Sequence, residues 1–246
     1  MIKLFRKTRK NLLMENKTSK YFKYAIGEIV LLVIGILIAL QINNWNENSK
    51  KSKEEEKLVH QINFDLENNK KELIELRKRL EINKVGIDSL IVRLQTKKYD
   101  LMFPVHLSAT TRKIYFNNAS SGYKTIQNGM AQLISNTTVL NKILNIYDND
   151  FNKIAIRETL MNQQIDDFQK DFINKYFKKS PNKMKITLIE FDKVATDLFI
   201  PVDFLSIINN LEFINRLHQL KKTIEVRLFF SKQTLDTLNE VLLEIN

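Results

Sequence analysis

Residues Ile29–Leu40 run without a single polar side chain, inside a longer apolar stretch, Tyr24–Ile42. Coiled at the helical rise, that stretch is roughly 28 Å long, close to a bilayer hydrocarbon core of about 30 Å. Glu28 opposes insertion by about 2.5–3.5 kcal/mol if placed at mid-bilayer, but as the fifth residue it can reach the headgroups. The Ile, Leu and Val residues of the stretch, at roughly −0.3 to −0.6 kcal/mol each, outweigh it. The sequence therefore predicts a transmembrane helix over 24–42. Tyr21 and Tyr24 on one side and Trp45 on the other are the expected interfacial anchors. A cleaved signal peptide is disfavoured, because Gln-Ile-Asn-Asn-Trp follows Leu40 and no small-x-small cleavage site is present.

Charge is concentrated immediately before this stretch. Lys3, Arg6, Lys7, Arg9, Lys10, Lys17, Lys20 and Lys23 face one acid, Glu15, so the first 23 residues carry +7 of the net +11. A nucleic-acid binder spreads its basic excess over a face and interleaves aromatics. A basic cluster abutting an apolar helix points instead to anionic lipid, and no nucleic-acid partner is expected. The same asymmetry predicts a cytoplasmic N-terminus, residues beyond 42 in the periplasm, and an inner-membrane location. Ile2, Phe5, Leu12 and Leu13 sit among the basic groups, so the leader either lies along the inner leaflet or serves only to set topology.

Beyond the span the chain reads as all-α. With 5 Gly, 3 Pro and no Cys in 246 residues, it lacks the breakers of sandwiches and the glycines of nucleotide folds. Asn43, Asn44, Asn46 and Asn48 weaken helicity in a connector over 43–57 without forbidding it. Val59, Leu66, Leu73, Leu80, Ile87 and Leu94 then recur every seven residues, with Ile62, Asn69, Leu76, Asn83 and Leu90 at the companion positions. This is a coiled-coil-like pattern in which the Asn residues select register or partner number. Pro104 is the expected end of this element. A second helix is expected from a cap at Thr137 or Thr138, carrying Leu140, Leu144, Tyr147, Phe151, Ile154, Met161, Ile165, Phe168 and Phe172, with Glu158 as a polar intruder. Ser180-Pro181-Asn182 should close it. Residues 183–202 mix strand-like alternation at Met184, Ile186 and Leu188 with helical spacing. Asp203 is expected to cap a short helix, and Asn210 precedes a last long one over 210–245, whose stripe Lys221 and Ser231 interrupt. Three such stripes bury one another most economically in an antiparallel bundle over 58–246; a parallel dimer through 58–97 competes.

The N-terminal third is similar to a known family. Phe5-Arg6-Lys7, Glu15-Asn16-Lys17, Lys20-Tyr21, Tyr24-Ala25-Ile26-Gly27-Glu28-Ile29 and the run from Gly35 to Asn46 resemble uncharacterised single-span membrane proteins of Bacteroidota, chiefly flavobacteria, known only as a domain of unknown function. Gly129 to Tyr147 resembles a second segment of that family, with Met130-Ala131 departing from it. The resemblance implies a membrane-anchored helical periplasmic protein and brings no activity.

Chemistry-bearing patterns are sparse. Cysteine chemistry is excluded, and His60, His106 and His218 are too far apart for a local ligand motif. No phosphate-binding loop or nucleophile elbow occurs, and Ser121-Gly122 stands without an accompanying pattern. Tyr115, Phe116 and Tyr123 read as core or the lining of an exposed pocket. Glu54–Glu56 and Asp166-Asp167 read as solvated faces. The expectation is a non-enzyme with no cofactor and no metal. Within the span, Gly27, Glu28, Gly35 and Ala39 share one helical stripe, small enough for a second helix to approach closely beside a carboxylate. The expected partners are the bilayer, a second copy and another membrane or periplasmic protein. A competing expectation is a sensor-like domain that binds a small periplasmic ligand and acts through a partner.

Overall fold

The structure, a computed structural model, describes residues 18–180 and 198–245. Lys3, Arg6, Lys7, Arg9, Lys10 and Lys17 lie outside the described residues, as do the side chains of Lys20, Tyr21 and Tyr24. The strand-like alternation at Met184, Ile186 and Leu188 lies outside them as well. The chain divides into two compact units, Met1–Lys57 and Leu58–Asn246. Most of the described residues are helical, as the scarcity of Gly and Pro dictates.

In the first unit the backbone is helical from Thr18 onward, within helix α1, Thr18–Gln95. The helix is long and apolar enough to cross a membrane, and its apolar window has no side chain buried within the chain. From Ile29 to Ile42 every large apolar side chain is 45–67% exposed. The Asn-rich stretch after it stays helical. Asn43 donates to Glu47 one turn on, at 3.0 Å, which supplies a local bond that a run of Asn otherwise lacks.

The second unit holds the core. From α1 it takes the stripe Leu66, Leu73, Leu80, Ile87 and Leu94 with Ile62, Leu76 and Leu90, each at most 3% exposed. The stripe begins at Leu58, which is buried, whereas Val59 is half-buried. α1 ends at Gln95, nine residues before Pro104, and Lys97 turns the chain with a φ of 53°. Pro104 instead sits in the first turn of α2, Met102–Thr110, where its missing N–H costs no helical bond. Asp100 accepts from Met102 N at 3.0 Å and steadies that turn.

A stretch without regular structure, residues 112–120, leads into α3, Ser121–Thr125, and a π-helical turn, Ile126–Met130. Gly129 takes a φ of 92°, which needs a residue without a Cβ. The next helix starts at α4, Thr137–Asn145, capped by Asn136 rather than by Thr137 or Thr138: its side chain accepts from Thr138 N and Val139 N at 3.1 and 3.2 Å. An amide oxygen one residue earlier reaches the second and third helical N–H groups, as an N-cap must. The chain continues through Ile146–Asp150, α5 (Phe151–Phe168), Gln169–Ile173 and α6 (Asn174–Tyr176) in helical backbone.

Two short strands depart from an all-helical chain. β1, Phe177–Lys179, pairs antiparallel with β2, Phe199–Pro201. Phe177 turns extended because its ring is wanted inside, 6.5 Å from Phe103 and 5.9 Å from Phe213. Asp203 then caps α7, Phe204–Ile208, accepting from Leu205 N at 3.0 Å. Asn210 accepts from Phe213 N at 3.0 Å before α8, Leu211–Ile245. Here Phe213 and Leu220 are buried and Ile214 only partly so. Contacts of α8 with α1 join Leu228 and Ser231 to Arg77, and Lys221 to Asp88. Its contacts with α5 join Arg227 to Glu158 and Met161, and Phe213 to Phe168.

Candidate functional site

Polar side chains of three helices converge on residues 111–122. From α1, Asn69 is fully buried and pairs with both main-chain groups of Ala119: Ala119 N donates to its Oδ1 at 2.6 Å, and its Nδ2 donates to Ala119 O at 2.8 Å. One side-chain amide thus takes the place of a neighbouring strand. Tyr147 donates to the same carbonyl at 3.0 Å. Asn83, also buried, donates to Arg112 O at 3.3 Å. These two Asn sit on the heptad stripe, so their partners lie within the chain, on the 112–120 stretch, and not across a coiled-coil dimer. A buried amide on an apolar stripe needs hydrogen-bond partners, and an irregular backbone supplies them.

α5 contributes a second set. Gln169, just past its end, donates to Thr111 O at 3.1 Å, and Glu158 accepts from Phe116 N at 2.7 Å. Between them Lys113 pairs with Asp166 at 2.7 Å, and Asp166 and Asp167 are both exposed. From α8, Arg227 is 2% exposed; it donates to Ile114 O at 3.2 Å and meets Glu158 at 3.4 Å. Burial brings the Arg227 pKa down to about 10, against the pull of Glu158. Burial also raises the Glu158 pKa, while the Phe116 N–H and Arg227 act the other way. Both shifts have one origin: each charge has left water for a site only partly able to replace it.

The C-terminal end of the stretch is pinned by Asp65, a buried carboxylate on α1. Ser121 Oγ donates to it at 2.9 Å and Gly122 N at 2.7 Å. This gives Ser121-Gly122 its role: the serine and the glycine N–H meet the carboxylate, and the missing Cβ lets α3 lie directly on the backbone of Ile62. Asp65→Ala is expected to destabilise the second unit by about 2 kcal/mol, since it strands a buried N–H and a hydroxyl. Thermal unfolding of the purified protein followed by circular dichroism measures it; an unchanged midpoint would refute the assignment. Tyr123 stacks on Tyr147 with centroids 4.4 Å apart. Burial, then the Asp148 carboxylate that its hydroxyl meets, pushes the Tyr123 pKa up to about 12. Phe116 packs on Phe151, 5.2 Å between centroids, and Phe151 on Tyr147, so Phe116 and Tyr123 join one aromatic cluster against the core, whereas Tyr115 is exposed.

The residues of the apolar N-terminal stretch form a separate constellation. Gly27, Gly35 and Ala39 are exposed and Glu28 is half-exposed. A Cβ added at Gly27 or Gly35 would meet nothing within 4 Å. Trp45 is 72% exposed. His60 and His218 are exposed too, and among the described residues no group of three His, Asp or Glu side chains is placed to hold a metal. Sequence reasoning marked Glu158, Lys221 and Ser231 as intruders on apolar stripes but passed over Arg227 and Asp65. Arg227 lies three residues after Ile224 on the same stripe, and that spacing was the available signal.

No curated protein and no solved structure matches the chain. The family of unknown function DUF6090 matches residues 28–202. The match takes in the apolar segment from Glu28, the strap-like 112–120 stretch and its α1 and α5 partners, and leaves out residues 1–27 and α8. With well over half of its 246 residues matched, the chain belongs to the family of unknown function DUF6090.

Proposed function

We propose that this chain is a non-enzymatic, membrane-tethered interaction module. In this reading residues 24–42 cross the inner membrane, the basic leader stays in the cytoplasm against anionic lipid, and residues 58–246 form a periplasmic antiparallel bundle. The order of contacts supports a bundle built on α8: residue numbers fall along α8 as they rise along α1 and along α5, so α8 runs antiparallel to both, and α1 and α5 run parallel to each other. The observation that carries the reading is how apolar surface is divided. The stripe from Leu66 to Leu94 is spent inside the chain, which removes the face a dimer through 58–97 would need. Among the described residues the longest unbroken run of exposed apolar side chains is Ile29–Leu40, whereas those of the second unit, such as Phe64, Leu101 and Phe229, are scattered. At that run the small face of Gly27, Gly35 and Ala39 lies open beside Glu28.

Cross-linking of the tagged full-length protein in native membranes, with mass spectrometry of the adducts, tests this. A specific second membrane protein, or a second copy, is expected to cross-link through the span. The yield should fall several-fold in Glu28→Gln and in Gly35→Ile, neither of which touches the folded core. A protein that is monomeric in mild detergent and cross-links to nothing would overturn the reading. A reproducible thermal shift with a small periplasmic metabolite would favour a ligand-sensing domain instead.

A further inference from the structure

We propose that the groove lined by Asn69, Asn83, Glu158, Gln169 and Arg227 is a peptide-binding groove, and that residues 112–120 are its resident, displaceable occupant. The replacing partner is an extended protein segment carrying an aliphatic and an aromatic residue two positions apart. Every one of the five side chains bonds main chain, at Thr111 O, Arg112 O, Ile114 O, Phe116 N and both groups of Ala119. Contacts to main chain accept any sequence, so the groove reads an extended backbone. Arg112, Ile114 and Phe116 all bond inward, the two-residue period of an extended strand.

Side-chain anchoring rests on a few groups: Ile114 is buried, Phe116 is partly buried against Phe151, and Lys113 pairs with Asp166, while Arg112, Tyr115, Asn117 and Asn118 are exposed. A segment with few buried apolar groups opens locally at lower cost than the helices around it. The occupant also leaves the groove incompletely satisfied. Arg227 Nε and Asn162 Oδ1 are buried without a hydrogen-bond partner. Asn162 stands one turn after Glu158 on α5, on the side that meets the strap. Gly122 against Ile62 and the Asp65 contacts hold the C-terminal end, so the strap can loop out without unthreading α3. This inference concerns the second unit alone and does not depend on association through the span.

The test uses the full-length protein in detergent and a fluorescent synthetic peptide of residues 111–120. Saturable binding to the wild-type protein is expected, at least tenfold tighter for Ile114→Asp, whose own strap no longer seats. A peptide with both Ile and Phe replaced by Asp should not bind. Hydrogen exchange of the wild-type protein provides a readout that survives a folding failure of the variant. The amides of Phe116 and Ala119 should exchange through local opening, at least tenfold faster than core amides of α5 and α8. Exchange of those two amides together with that core overturns the proposal, as does absence of saturable binding to both proteins. Loss of span cross-links with peptide binding intact would leave it standing.

Discussion

Replacing Arg227 with methionine is expected to destabilise the second unit by roughly 3 kcal/mol, the lower end of the cost of breaking a buried ion pair. Arg227 is 2% exposed and donates to Ile114 O, Met161 Sδ and Glu158. Methionine fills much of the volume but leaves the carbonyl unpaired and Glu158 without its cation. The estimate stays at the low end because Glu158 can take up a proton, as its raised pKa already favours. Glu158→Gln in the Arg227→Met background should recover part of the loss, since glutamine still accepts from Phe116 N and carries no charge to desolvate. Urea unfolding followed by circular dichroism separates the three proteins.

The pH dependence follows from the same pair. A carboxyl whose folded pKa is raised contributes stability that is fully present below its unfolded value, about 4.3, and is lost as pH rises through the folded value. Arg227 is one of the groups holding that folded value down. Removing it widens the window upward. Stability of Arg227→Met should therefore fall more steeply between pH 5 and 7 than that of the wild type. Parallel pH profiles for the two proteins would show that Glu158 and Arg227 are not coupled.

Gly122→Ala is expected to cost about 2 kcal/mol or more, a larger effect than alanine at any other glycine of the chain. A Cβ there would lie 2.6 Å from Ile62 Cγ1 and 3.0 Å from the Ile62 Cα and N. The side-chain atom can swing away, but the α1 backbone cannot, so α3 must shift and loosen the Asp65 contacts. Ile62→Val in the same chain should restore little, because valine keeps both Cγ atoms and leaves the backbone obstacle in place. Gly86→Ala is the internal comparison: its Cβ would approach His106 O at 3.2 Å, a contact that a few tenths of an ångström relieve. Equal melting temperatures for Gly122→Ala and wild type would show that α3 is free to move.

Residue order alone determined where the apolar mass lies and which residues recur on each helix. The stretch from Ile29 to Leu40, the stripe from Leu66 to Leu94, the cap at Asp203 and the start of the last helix after Asn210 were all legible, because burial and capping depend on residue type and spacing within one element. The end of α1 and the start of α4 were legible only approximately, since Pro is tolerated in a first turn and Asn136 caps as well as a threonine would. What only the tertiary structure decided is the fate of the polar residues set into apolar stripes. Asn69, Asn83, Glu158 and Arg227 look like coiled-coil register devices or isolated flaws when each helix is read alone. Their partners are main-chain groups of a stretch with no pattern of its own, brought between three helices from 29 to 113 positions away. Such pairings carry no periodic signature, because a backbone N–H or carbonyl is the same group whatever side chain it bears. The use of Ser121-Gly122 was hidden for a related reason: a missing Cβ shows its purpose only when another backbone lies where that atom would be.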